Sequence, residues 1–498
     1  MEAFRYKECV LGLEKKSNFS RFDDFQEALV FFINKVLFFR DLSVSIDRPG
    51  RLRMSTETFL YVRSMELHLF NIWFPGGKEG ERIISMLECF GTLRFTQCNF
   101  SLRKIKLSYP RVSFFECFFY SKYEISDMKL RKDKAYDDCL YQRCNFYDEV
   151  HCGGVERKEK VIISNSLFSS CNFFKLIQIK NVELNGFLFD GDHRYLTKMV
   201  RLKVENSVFH SGFYMNECSG IDYCLFFSCV FKGKFEFKNN SVDVLFVDNC
   251  NFEKISDFYG LSACRLDVRK SIFTTFAGFE DCKLGEARSD GMLALKRKIE
   301  VRPASFVYVT FLEFASFRNT FFKSGLDVEK INTIQHPNFH GVKVASEGSN
   351  RETFRLIKHA LDSYGSHVEA NIFFAEEMRK YQEEGVGGYS DKFVYFVNRY
   401  SSNFGQNYLQ SVILTILFSI VFYGLTIAQK NGCLYKIYQP ANGFFGAVSD
   451  FFNGLAISYI PFKTFLWPGM EFLSLIFYMV FGVLFWQVIV SLKRLIKR

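Results

Sequence analysis

A chain of 498 residues with 48% hydrophobic and 24% charged residues has the usage of a folded protein and excludes wholesale disorder. Its formal net charge of +10 is moderate for this length; a basic balance admits nucleic acid or an anionic membrane surface as partner. Three counts stand out, 62 Phe, 15 Cys and only 8 Pro. So much Phe must be buried in a regular way if the chain is to stay out of aggregates, which implies a repeating core slot shaped for a phenyl ring.

Residues 1–14 carry Glu2, Lys7 and Glu14 and lack the uninterrupted apolar core of a secretory signal. The bulk of the protein is therefore expected in the cytosol, where thiols stay reduced and Cys serves as a small buried hydrophobe. Residues 1–85 read as an N-terminal cap. Within it, 23–41 is an amphipathic helix by periodicity. Residues 58–74 alternate as strands leading into a repeat array whose first edge needs cover.

From 86 to 325 a three-residue unit recurs: a small Cys or Ser, any residue, then Phe or Leu. It appears as Cys98-Asn99-Phe100, Cys144-Asn145-Phe146, Cys171-Asn172-Phe173, Cys224-Leu225-Phe226, Cys229-Val230-Phe231 and Cys250-Asn251-Phe252, among others. Phe90, Phe95 and Phe100 are spaced by five, as are Phe168 and Phe173, and Phe226 and Phe231. Five is neither the helical period of about 3.6 nor the strand period of 2. The small residue and the ring are two apart, so in a short extended piece both point the same way. A turn after each piece returns the next pair to the same interior, which describes a solenoid with short flat faces.

These triplets resemble the pentapeptide-repeat family. The resemblance implies a mainly β fold, a right-handed quadrilateral parallel β-helix with four units to a turn. Its structural core would include Cys98, Phe100, Cys144, Phe146, Cys171, Phe173, Phe226, Phe231, Cys250 and Phe252. Turns about 4.8 Å apart would stack into a rod on the order of 50 Å long. Polar stretches at 147–160 and 190–201 break the pattern and read as loops bulging from a turn, where recognition residues are commonly carried. Some soluble relatives mimic duplex DNA, which requires a strongly acidic rod; a net basic chain does not fit, and no nucleic-acid partner is expected.

Residues 326–406 read as a helical connector. Ser349 with Glu352 and Ser366 with Glu369 have capping-box spacing, and Gly365 between them is a natural helix stop. Val368, Ile372, Ala375 and Met378 fall on one face of the second helix of this hairpin, 349–384. The stretch is similar to the segment joining pentapeptide repeats to membrane helices in a group of bacterial membrane proteins, which implies a bacterial source.

Residues 407–498 form the expected membrane domain. The stretches 408–428 and 472–492 contain no charged residue, and each is long enough to cross a hydrocarbon core of about 30 Å. Lys493, Arg494, Lys497 and Arg498 follow the second at once, so the positive-inside rule keeps that tail, and with two crossings the N-terminus, in the cytoplasm at the inner membrane. Between them, 442–462 is too short and interrupted for a third crossing yet too apolar for free solvent. It suits either an interfacial amphipathic segment or a re-entrant pore loop, with Asn453, Ser458, Tyr459, Pro461 and Phe462 at the constriction. A potassium-type filter sequence and a following acidic ring are both missing.

Catalytic motifs are sparse. Cys139, Cys144, His151 and Cys152 are zinc-ligand types, but Cys144 belongs to a repeat triplet and the spacing is irregular. His336 and His340 flank Pro337, which breaks the helix a metalloprotease pair needs, and the adjacent Glu376 and Glu377 diverge on a helix and read as solvating groups. No phosphate loop or nucleophile elbow is present, so neither enzyme activity, cofactor nor metal is expected. Two functions remain. One is a membrane-anchored scaffold presenting the solenoid to a cytosolic protein. The other is a channel-like effector of bacterial defence or toxicity, assembled as a homo-oligomer with a repeat sensor.

Overall fold

A computed structural model describes residues 22–38, 41–48, 51–107, 111–125, 139–154, 160–190, 198–286, 301–385, 388–430, 466 and 471–496. The chain divides into two compact units, Met1–Ser349 and Asn350–Arg498.

The first unit is a parallel β-solenoid of about 11 turns. Its entry is helical. Helix α1 (Phe22–Leu37) buries Phe25, Leu29, Phe32 and Ile33 on one stripe, and Phe25 meets Phe74 of the first turn edge-on at 6.3 Å. An antiparallel hairpin, Val44–Arg48 with Arg51–Met54, follows. The 58–74 stretch is not all strand. Its first part is α2 (Thr56–Ser64), because Ser55 caps it by accepting the Thr58 amide at 3.1 Å. Only Glu66–Phe70 and Trp73–Phe74 are strands, and they are already the first turn, followed by α3 (Gly77–Met86). Parallel pairing thus runs from Glu66 to Val344, beyond the 86–325 span that the triplets mark.

Among the described residues the turns assemble four parallel sheets of five, sixteen, eight and five strands. Inward side chains repeat in register from turn to turn. Phe74, Phe100, Phe119, Phe146 and Phe173 form one row with ring centroids 4.6–5.0 Å apart. Phe209, Phe231, Phe252, Phe273 and Phe311 form another at 4.6–5.1 Å. That spacing is the strand spacing itself, so each ring is offset-stacked on its equivalent. Rings five residues apart meet across a corner instead: Phe95 and Phe100 at 76°, Phe168 and Phe173 at 89°. The five-residue period is therefore the step from one face to the next.

Many corners share one pattern. A residue in left-handed conformation precedes a small donor, as in Gln97-Cys98, Arg143-Cys144, Ser170-Cys171, Asn249-Cys250 and Lys270-Ser271, while Asn71, Asn181, Tyr308 and Lys330 precede Ile or Val instead. Left-handed φ at so many non-glycine residues is uncommon and recurs here because each tight corner needs it. The polar stretches do not all loop out. Val150–Cys152 is a paired strand with Val150 and Cys152 buried, and Met199–Glu205 pairs on both sides. Their outward residues are charged, which hid the inward alternation.

The second unit is helical. Helices α4 (Arg351–Ser363) and α5 (His367–Glu383) form a hairpin turned at Gly365, φ +77°. The cap of α4 is Asn350, whose Oδ1 accepts the Thr353 amide at 2.9 Å, and not Ser349. Ser349 is used within the solenoid, where its Oγ accepts the Leu326 amide at 2.9 Å. Ser366 does sit at the start of α5 but makes no capping bond. The buried face of α5 is Ala370, Phe373 and Glu377, with Ala375 beside it, while Val368 and Ile372 are exposed. Beyond it come α6 (Tyr389–Ser402), α7 (Tyr408–Lys430) and α8 (Glu471–Ile496). Phe422 of α7 packs among Phe477, Tyr478 and Phe481 of α8 at 4.9–6.3 Å.

Candidate functional site

The triplet cysteines face inward and are spent on structure. Cys98 Sγ donates to the Leu69 carbonyl at 3.3 Å, Cys144 to Phe114 at 3.5 Å, Cys171 to Tyr141 at 3.3 Å and Cys250 to Phe226 at 3.4 Å. Each bond reaches the turn before. Ser271 and Thr320 occupy equivalent corners, so the slot asks for a small side chain with a donor rather than for thiol chemistry. Burial pushes the Cys152 and Cys282 thiols up to about 12 and raises those of Cys98, Cys144 and Cys250 well above the ordinary value. At these five positions a thiol held protonated is neither nucleophile nor metal ligand at neutral pH, whereas at Cys229 burial is offset by contact with Cys250 and the thiol is lowered. Brief maleimide treatment of the native protein at pH 7 is expected to leave Cys144, Cys171 and Cys250 unlabelled by peptide mass spectrometry, with full labelling after denaturation. Native labelling of these three would mean that the triplets do not face inward.

Phe100, Phe146 and Phe173 stack in the first row and Phe231 and Phe252 in the second. Phe226 meets Phe231 edge-on at 5.7 Å across a corner. The structure thus brings these residues together as buried core.

The outer surface carries what the triplets did not reveal. Tyr120, Tyr147 and Phe174 each follow an inward Phe, so alternation turns them outward. Trp73 stacks on Tyr120 at 5.7 Å and 5°, Tyr120 on Tyr147 at 5.1 Å, and Tyr147 on Phe174 at 4.9 Å. All four rings are exposed. Beside this strip lies a polar trough of about 790 Å³ bordered by Asn99, Glu116, Arg143, Asn145, Asn172 and Lys198. Asn172 donates to Asn145 at 2.9 Å and Tyr120 to Asn99 at 3.2 Å, so the polar side chains form their own ladder. The signal was in the sequence, as an aromatic after the repeat Phe in Phe119-Tyr120, Phe146-Tyr147 and Phe173-Phe174. Variable positions of a repeat are easily passed over. Lys122–Glu149 at 3.4 Å and Lys175–Asp148 at 2.8 Å rim the strip with exposed ion pairs of little energetic weight.

No cluster of three metal-ligating side chains occurs among the described residues. His151 bonds Glu149 at 3.1 Å, while Cys144 and Cys152 are buried. His336 and His340 are exposed. The solvating role read for Glu376 and Glu377 is corrected. Glu377 is buried and paired with Lys358 of α4 at 2.7 Å, because α5 turns this edge to its neighbour, and Glu376, half-buried, bonds Arg379 one turn on in α5 at 2.6 Å.

The candidate pore residues Asn453, Ser458, Tyr459, Pro461 and Phe462, with the whole of 442–462, lie outside the described residues. On either side of them, Tyr408–Ala428 and Glu471–Arg494 are helices long and apolar enough to cross a membrane. Only 11% and 17% of their most apolar windows is buried, whereas the core helix of a globular protein would be mostly buried. Set against known proteins, the chain matches no family model, no curated protein and no solved structure, so its reading rests on this geometry.

Proposed function

We propose that this protein is a membrane-anchored scaffold of the pentapeptide-repeat kind. Its cytosolic solenoid offers the strip Trp73, Tyr120, Tyr147 and Phe174 to a protein partner, and α7 and α8 cross the inner membrane, keeping both termini in the cytoplasm. The observation that carries the reading is the strip. Exposed aromatic rings held rigidly by a stacked backbone lose little entropy on binding and are the residue type that dominates protein interfaces. The polar trough beside them supplies hydrogen-bonding groups for a rim. Catalysis has no part in this reading, because the buried thiols and paired carboxylates have structural work.

The test is a photo-crosslinking amino acid at Tyr147 of the full-length protein in its own cells. A discrete crosslinked protein, lost when Trp73 and Tyr120 are both replaced by Ser, is the expected result. Equal crosslinking in that variant, or none at Tyr147 beside strong crosslinking on the opposite face, would remove the strip as the partner surface.

A further inference from the structure

Helix α6, Tyr389–Ser402, has its amphipathicity the wrong way round for water. Tyr389, Phe393, Phe396 and Tyr400 recur at i, i+4, i+7 and i+11, which places them within an arc of about 60° at 100° per residue. They are 95%, 68%, 52% and 56% exposed. Lys392 and Arg399 line one edge of the stripe, Arg399 donating to Gln382 Oε1 at 3.2 Å.

The opposite face is the one that docks. Asn398 accepts from Gln487 Nε2 at 2.7 Å, Ser402 donates to Gln487 Oε1 at 2.8 Å, and Tyr395 meets Tyr381 edge-on at 5.3 Å. A helix that turns its polar side to the protein and its aromatic side outward is suited to a surrounding that is not water.

Its level identifies that surrounding. Gln487 lies on α8, six residues before Lys493, or about 9 Å along the axis at 1.5 Å per residue. Interfacial helices bury their apolar face about 5–10 Å into the headgroup and acyl boundary, with Lys and Arg at the polar edge. Trp486, exposed beside Gln487, lies seven residues before Lys493, or about 10.5 Å along the axis, within the apolar part of the span. A groove of about 1040 Å³ between this helix and the apolar pair is lined by Phe393, Val397, Leu409, Ile413, Met479 and Val483 among others. It is almost wholly apolar, and continuous with surface that faces lipid if α7 and α8 span.

We infer that α6 is an in-plane anchor, lying in the bilayer interface with its aromatic stripe among the acyl chains and Lys392 and Arg399 at the headgroups. The inference rests on the reading of α7 and α8 as crossings and adds a third point of membrane attachment. Its consequence is that the helical unit is attached to the membrane ahead of its first crossing as well as through the two crossings.

The test uses the full-length protein in phosphatidylcholine and phosphatidylglycerol vesicles whose acyl chains carry bromine near the headgroup or near the chain end. One variant keeps Trp486 as its single indole, the other two tryptophans being Phe. A second has all three replaced and Phe396→Trp; a third uses Phe393→Trp, in case one position perturbs packing. Trp486 should be quenched in brominated vesicles. The indole at 396 or 393 should lose at least about half its fluorescence, most with shallow bromine, and be shielded from aqueous iodide. Quenching of Trp486 with iodide-accessible, bromine-insensitive indoles at 396 and 393 would overturn the anchor and leave the crossings intact. Shielding from both quenchers that fades on dilution into excess lipid would overturn it in favour of a second copy. Loss of quenching at Trp486 as well would sink the crossings and the anchor together.

Discussion

Replacing Phe231 with Asp is expected to unfold the turns on either side of it. The ring stacks on Phe209 at 5.1 Å and Phe252 at 4.9 Å and meets Phe226 and Phe235 edge-on. Removing a buried Phe side chain costs about 3–5 kcal/mol. Burying a carboxylate in its place adds several more, since the row around it is built of phenyl rings and the group must protonate or drag in water. Phe231→Leu keeps most of the apolar contact and should cost about 1–2 kcal/mol. Solenoid turns couple chiefly to their neighbours, so damage should be local. Hydrogen exchange by mass spectrometry on the detergent-solubilised protein reads this directly. Peptides across 204–258 should lose protection in the Asp variant, while the α4–α5 hairpin keeps it. Phe173→Asp should do the same to the turns holding Phe146 and Phe168. Undisturbed protection in both variants would mean these rings are not the inward residues.

The sequence made the solenoid legible because its period is one that neither helix nor simple strand produces. The triplets mark corners where a small donor and a ring are both required, as at Cys144 and Phe146. Its ends were less legible for the same reason. Glu66–Phe70 buries Leu67 and Leu69 with no small donor before them, so it pairs as a turn without carrying the triplet. At 147–160, outward Asp148, Glu149 and His151 masked inward Val150 and Cys152. In α5 the periodicity gave a stripe, but packing against α4 selected a neighbouring one, because Glu377 finds its cation there. The exposed aromatics of the solenoid and of α6 went unread because an aromatic residue in sequence suggests core. In the solenoid the side each one faces follows only from its place one residue after the inward Phe.

That Glu377–Lys358 pair carries the second large effect. Lys358 on α4 reaches Glu377 on α5 at 2.7 Å, with side chains 18% and 5% exposed, and the ammonium also lies 5.6 Å from the Phe374 ring centre. Breaking a buried pair from one side costs about 3–5 kcal/mol, because the remaining charge has lost its water and its partner. The two sides are unequal. Lys358 is the less buried and has a flexible stem, so when Glu377 becomes Leu its ammonium can extend to solvent. Glu377 has no such reach. Lys358→Met should therefore destabilise the hairpin more than Glu377→Leu does, and the double variant should recover most of the loss, since an apolar pair of similar volume replaces an ion pair at little net cost. Urea titration followed by hydrogen exchange over 351–383 checks this in the full-length protein. If Lys358→Met leaves that protection unchanged, the pair does not hold the hairpin together. A weakened hairpin would matter beyond its own stability, because Tyr381, on the same helix α5, gives Tyr395 of α6 its edge-on contact. Lys358→Met should then also loosen α6 and raise exchange across 389–402, an effect that a surface ion pair would not transmit.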